Sequence, residues 1–147
     1  MTSMIETFLD TNILVYAFDL AEAEKQPIAY KILQQATQGR EKFHISNQVL
    51  AELSRTLTHK LAKPYTQEET IEILTLFQLP TWIIYSYRLS TLTQALRLQQ
   101  QNTISFWDAL IVATMMENHV YQIYTEDMAF SKIPGIKAVN PFKRKKY

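Results

Sequence analysis

Apolar residues change their spacing repeatedly along the chain, and each change marks an element. Residues 5–9 read as a short buried strand. Ile13, Leu14, Ala17 and Phe18 then follow a helical spacing, entered through Asp10, Thr11 and Asn12. A second helical pattern covers residues 24–38, and Gly39 is a natural stop. Residues 42–46 read as a strand, followed by a helix over 47–61 that Pro64 ends. Thr66 and Glu69 form a capping box for a helix over 67–78, broken by Pro80. Residues 82–86 have the strongest strand composition, and 88–101 return to helical spacing. Ser105 with Asp108 reads as another capping box, opening an apolar helix that runs to about Asn118. Residues 122–125 and, more weakly, 136–139 complete the set as strands.

Strands alternating with helices predict right-handed crossovers and a mainly parallel sheet covered on both faces. The 147 residues contain no repeat, low-complexity tract or Pro- or Gly-rich linker, so one domain is expected over 1–142. Residues 143–147 form a basic tail read as a solvated segment.

In an open parallel sheet, ligands bind beyond the carboxyl ends of the strands. Asp10 directly follows the first strand, and Asp127 lies two residues past the fourth. The helix opened by Ser105 precedes a strand, so it runs against the strands and brings Asp108 to the same edge. The helix after the second strand starts there too, with Glu52 about two turns in. Four acids distant in sequence are therefore expected at one edge. Asp10, Glu52 and Asp108 also sit in apolar sequence, which suits a pocket better than open solvent. Two carboxylates about 4 Å apart repel by roughly 4 kcal/mol at an effective dielectric of 20. Such a cluster holds protons or a divalent cation. Each acid also has a simpler reading. Asp10 and Asp108 cap helices, Glu52 is an exposed helix acid facing Arg55 or Lys60, and Asp127 caps a turn, leaving Glu126 as the alternative ligand.

Composition narrows the chemistry. Two glycines, Gly39 and Gly135, cannot build a phosphate-cradling loop, and without cysteine there is no thiolate metal site or thiol nucleophile. His44, His59 and His119 have no ligand-pair spacing, so a catalytic ion would rest on carboxylate oxygens, the donor set of Mg²⁺ or Mn²⁺. Net charge is +1, but Lys143, Arg144, Lys145 and Lys146 mask a body of 11 basic and 14 acidic residues, net −3. That body has no broad field for nucleic acid, so contact must come from local patches or a bridging cation. No stretch approaches the ~20 apolar residues of a membrane span. Residues 1–6 lack a basic leader pattern, so a cytoplasmic protein is expected. Phe106 and Trp107 beside a helix start are read as core, His59 and Lys60 as a solvated helix end, and His44 as a strand residue rather than a ligand. Met115 and Met116 are read as core filler.

The ordered motifs carry a resemblance. Residues 8–16 (FLDTNILVY), 45–53 (ISNQVLAEL), 104–113 (ISFWDALIVA) and 124–127 (YTED), with a closing VNPF over 139–142, resemble the PIN-domain family. That family comprises metal-dependent ribonucleases, VapC-type toxins among them. The resemblance spans nearly the whole chain. It implies a three-layer PIN-like sandwich around a five-stranded parallel sheet, a homodimer, and cleavage of RNA phosphodiesters. Asp10, Glu52, Asp108 and Asp127 then become ligands of Mg²⁺, with Mn²⁺ as the alternative, and Asn12 and Thr125 their polar supports. The implied mechanism is in-line attack by a cation-activated water, and the implied regulator is a small antitoxin protein. Many members carry a further Asp where this chain has Ala129, so one ion site is expected rather than two. The rival readings are a non-catalytic RNA-binding or regulatory PIN domain and a phosphatase of the haloacid dehalogenase type. The phosphatase wants an Asp where Asn12 stands.

Overall fold

The computed structural model describes residues 5–143. The tail residues Arg144, Lys145 and Lys146 lie outside the described residues. Five strands, β1 (Thr7–Leu9), β2 (Phe43–Ser46), β3 (Ile83–Tyr85), β4 (Gln122–Tyr124) and β5 (Lys137–Val139), form one sheet in the order β3-β2-β1-β4-β5. Every neighbouring pair is parallel. The connections β1→β2→β3 step one way from the centre, whereas β3→β4→β5 step the other. Right-handed crossovers therefore place α1 (Thr11–Phe18), α2 (Lys25–Thr37), α3 (Asn47–His59) and α4 (Gln67–Leu74) on one face. The same rule places α5 (Leu89–Gln101) and α6 (Phe106–Glu117) on the other. The contacts agree: α1 packs on α2 and α3, α3 on α4, and α5 on α6. The strand order reverses at β1 and β4, which puts the open edge beyond their carboxyl ends at the position where such sheets bind ligands.

Burial follows from this layering. All three residues of β1 and all four of β2 are buried, because helices cover both faces of the central strands. Helix α6 is apolar nearly all round, and Ala109 to Met115 are all buried. The edge strand β3 has no fully buried residue, despite its strong strand composition, because one side lacks a neighbour.

Three elements differ in detail from the sequence expectation. The helix over 67–78 tightens after Leu74 into a 3-10 turn, Thr75–Gln78. Pro80 disfavours helical backbone just before it, and short 3-10 turns are the usual way to close a helix there. The helix after β2 stops at His59 rather than Leu61. The Ser105–Asp108 box forms by half: the Asp108 backbone N–H donates to Ser105 Oγ at 3.2 Å, without the reciprocal bond that Glu69 makes to Thr66. The stop at Gly39 holds, with φ at +72° and Arg40 N–H closing on the Gln35 carbonyl at 2.9 Å.

His44 illustrates what full coverage of β2 costs. Its ring is buried, with Nδ1 2.7 Å from the Tyr85 hydroxyl, and Nε2 has no hydrogen-bond partner. Burial lowers its pKa below the ordinary 6.5, with Glu6 opposing and Lys42 adding to the shift. The unfolded chain thus takes up a proton near 6.5 that the folded chain refuses, so His44 lowers stability as pH falls below about 6.5. Melting curves at pH 7.5 and 5.5 are expected to differ less for His44→Gln than for the wild type.

Candidate active site at the carboxyl edge of the sheet

The register of β1 and β4 builds the centre of the site. Leu9 pairs with Tyr124, so the next residues, Asp10 and Thr125, emerge side by side at the sheet edge. Asp10 N–H donates to the Tyr124 carbonyl at 3.0 Å, which fixes its backbone. Its carboxylate then does two things. Oδ1 accepts the Thr11 N–H at 2.8 Å, capping α1, and Oδ2 accepts the buried Thr125 hydroxyl at 2.7 Å. Asn12 Nδ2 approaches Oδ2 at 3.4 Å. The capping reading of Asp10 is therefore real, and the same side chain still lines a cleft.

That cleft, of about 760 Å³, is walled by α1, α3 and the start of α6, and Asp10, Glu52 and Asp108 all line it. Three of the four expected acids are thus brought together from three separate segments. Asp10 is only 7% exposed, and its pKa is raised from 3.8 to about 6. Burial is the main cause. The Thr125 and Thr11 hydrogen bonds pull the other way, and the charges of Asp108 and Glu52 add to the rise. Asp108 is raised for the same leading reason, with the Ser105 hydroxyl opposing and Asp127 and Glu52 reinforcing. At neutral pH the cleft therefore holds carboxylates that resist ionisation together.

Asp127 is placed differently. It is exposed at the rim, outside the cleft wall, and its Oδ1 accepts the Ala129 N–H at 3.0 Å, capping the 3-10 turn Met128–Lys132. Thr125 Oγ1 accepts the Asp127 N–H at 2.9 Å, so one threonine links Asp10 to the Asp127 backbone. Glu126, the alternative acid, pairs with Lys25 at 2.7 Å, and Lys25 also lies over the Tyr16 ring.

Among the described residues, no three His, Cys, Asp or Glu side chains stand close enough to enclose a metal ion on their own. The donor set nevertheless suits a hard ion that keeps most of its water, since Mg²⁺ commonly binds through only one or two carboxylates. The amide oxygens Asn12 Oδ1 and Gln48 Oε1 are buried without partners beside those carboxylates, and both residues line the cleft. Polar oxygens left bare in this way fit a hydrated cation, whose waters are donors.

The PIN domain family model matches residues 7–136. This chain belongs to the PIN domain family. Solved PIN-fold structures share its architecture. Mycobacterium tuberculosis VapC20, a toxin that cleaves the sarcin–ricin loop, superposes with a TM-score of 0.67 at 16% identity, covering 87% of this chain and 95% of its own. Rickettsia felis VapBC2, solved on a DNA fragment from its promoter, gives a TM-score of 0.66 at 22% identity, covering 92% and 98%. A Klebsiella pneumoniae toxin–antitoxin complex gives 0.62 at 23% identity, covering 92% and 97%. No curated protein sequence matches the chain.

The cleft of this PIN domain contains residues that spacing alone did not single out. Thr11 Oγ1 donates to Glu52 Oε2 at 2.7 Å, and Gln48 Nε2 donates to Glu52 Oε1 at 2.9 Å. Gln48 and Glu52 are four apart in α3, a spacing that puts them on one helical face and was the available signal. Thr11 gave none beyond its place at a helix start. Trp107, expected in the core, is 59% exposed and lines the cleft, because the first turn of α6 projects past the sheet edge. Phe106 does pack against the core, as expected. Arg55 and Lys60 line the same cleft and, among the described residues, make no ion pair. His59 remains an exposed helix end, bonded to Thr58.

Proposed function

We propose that this PIN domain is an endoribonuclease that hydrolyses RNA phosphodiesters with a divalent cation, Mg²⁺ or Mn²⁺, held by Asp10, Glu52 and Asp108. The observation that carries the reading is the convergence of these three acids on one cleft at the switch in strand order. Structural stability gives no reason for it, because burial and neighbouring negative charge make the ionised forms of Asp10 and Asp108 costly. Asp127 stands at the rim, where its charge reaches Asp108, and is assigned an outer role beside the same ion. When bound, such a cation neutralises the carboxylates, polarises the phosphate and lowers the pKa of water.

The chain's own residues supply the rest. Thr125 and Asn12 orient the Asp10 carboxylate, and Thr11 orients that of Glu52. Along the same cleft, Arg55 and Lys60 offer charge to backbone phosphates, and the exposed rings of Trp107 and Tyr87 offer stacking surfaces. Cations and open aromatic faces beside an acidic centre suit a strand whose bases are unpaired.

This substrate reading is tested by steady-state cleavage of a labelled single-stranded RNA. Trp107→Ala is expected to raise KM about tenfold, the scale of one lost base stack, with kcat little changed. Arg55→Ala is expected to weaken binding and flatten its salt dependence. Unchanged KM in both variants would remove the cleft from RNA recognition.

Two partners complete the proposal. Leu89 and Leu96 are 81% and 55% exposed and lie seven residues apart on α5, one apolar stripe that a second copy of the chain would cover in a homodimer. The toxin–antitoxin assemblies among the similar structures support a small antitoxin as the regulator. No helix among the described residues is long and apolar enough to cross a membrane, and we place the activity on RNA in the cytoplasm.

A further inference from the structure

Gln48 takes no part in the proposal above, yet its side chain is tightly constrained in the cleft wall. It is only 4% exposed, unusual for a glutamine. Its Nε2 lies 2.9 Å from Glu52 Oε1 and 2.9 Å from the Trp107 backbone carbonyl. Both partners can only accept, so both amide protons are committed and the orientation of the amide is fixed. Oε1 is consequently buried without a partner. A buried, unsatisfied amide oxygen costs stability. A residue selected for packing alone would be apolar here.

The two bonds reach across the molecule. Glu52 belongs to α3 on one face of the sheet, and Trp107 lies in the first turn of α6 on the other, directly before Asp108. One amide therefore ties together the two helices that deliver Glu52 and Asp108. With Thr11 on the second oxygen, the Glu52 carboxylate is held by a neutral donor at each end. Each oxygen keeps a lone pair for an ion.

We infer that Gln48 is a positioning residue: it sets the Glu52 carboxylate and the α6 first turn in the arrangement that binds a divalent cation. This inference rests on the cation reading of the site. Partners that orient metal ligands usually contribute ten- to hundredfold to metal affinity.

The experiment is Mn²⁺ titration of the full chain, read as the loss of the free-ion electron paramagnetic resonance signal. It compares the wild type with Gln48→Met, Gln48→Asn, Glu52→Gln and the double variant Gln48→Met/Glu52→Gln. Circular dichroism verifies the fold, and either Gln48 variant that folds suffices. Mn²⁺ affinity is expected to fall about ten- to hundredfold in the Gln48 variants, with little change in the ion-free melting temperature. In the Glu52→Gln background the same Gln48→Met change is expected to cost less than about twofold, because the group it positions is gone. Wild-type affinity in the Gln48 variants, or an equal loss in both backgrounds, would overturn the role of Gln48 while leaving the cation site standing. A wild type that binds no Mn²⁺ at millimolar concentration overturns the cation reading itself.

Discussion

Asp10→Asn is expected to reduce RNA cleavage by about a thousandfold, the scale of losing a central electrostatic group, while making the ion-free protein more stable at neutral pH. The two effects have one cause. A carboxyl with an ordinary pKa of 3.8 that titrates at about 6 in the fold binds its proton more tightly folded than unfolded. Its contribution to stability is fully present below about pH 4 and is lost as pH rises through about 6. At pH 7.5 the ionised Asp10 therefore costs about 3 kcal/mol. Asparagine removes that charge and keeps an oxygen for the Thr11 N–H, while its amide can donate to Thr125 Oγ1. For a chain of this size the melting temperature should rise by about 5–10 °C at pH 7.5 and by much less at pH 4.5. Mn²⁺ should stabilise the wild type and not the variant. A variant that loses cleavage and stability together would show that Asp10 serves the fold, not the reaction.

The second large effect is expected from Phe8→Ala. Phe8 is fully buried in the central strand, two residues before Asp10, and β1 has only three residues to hold that acid at the edge. Truncating a buried phenylalanine costs about 3–5 kcal/mol, from lost burial and from the cavity left behind. The melting temperature should therefore fall by about 10–15 °C, without a change of fold. Because β1 also aims Asp10, the ion-free variant is the more strongly affected form. Mn²⁺ at saturating concentration should recover part of the loss by mass action. Calorimetry with and without Mn²⁺ measures both quantities. A loss under about 1 kcal/mol would mean that β1 does not anchor the site as described.

Most of the fold and the centre of the site were legible in the sequence, for identifiable reasons. Strands fully covered on both faces read as apolar runs, and capping residues mark helix starts, so β1, β2 and α6 follow from local pattern. Asp10 and Asp108 stand out because an ionisable residue within an apolar run is costly and calls for a compensating role. The polar support was harder to read. Thr11 and Gln48 resemble ordinary helix residues, and only the packing of α3 against α1 and the approach of the α6 first turn to Gln48 reveal that both serve Glu52. Trp107 misled because aromatic residues beside a helix start usually face the core, whereas this turn overhangs the sheet edge. The tightening of the chain after Leu74 depends on how α4 meets Pro80, which spacing alone does not encode.

The central claim is that the acids of this cleft serve a divalent cation in RNA cleavage. It is tested most directly by cleavage of an end-labelled single-stranded RNA pool with purified protein, in Mg²⁺ and in excess chelator, beside Asp108→Asn. Asp108 is the informative acid because it lines the cleft and its carboxylate does not return the capping-box bond to the Ser105 backbone N–H. Discrete products are expected with Mg²⁺, none after chelation, and none from Asp108→Asn at an unchanged fold. Cleavage that persists in chelator, or that survives Asp108→Asn at the wild-type rate, would contradict that claim.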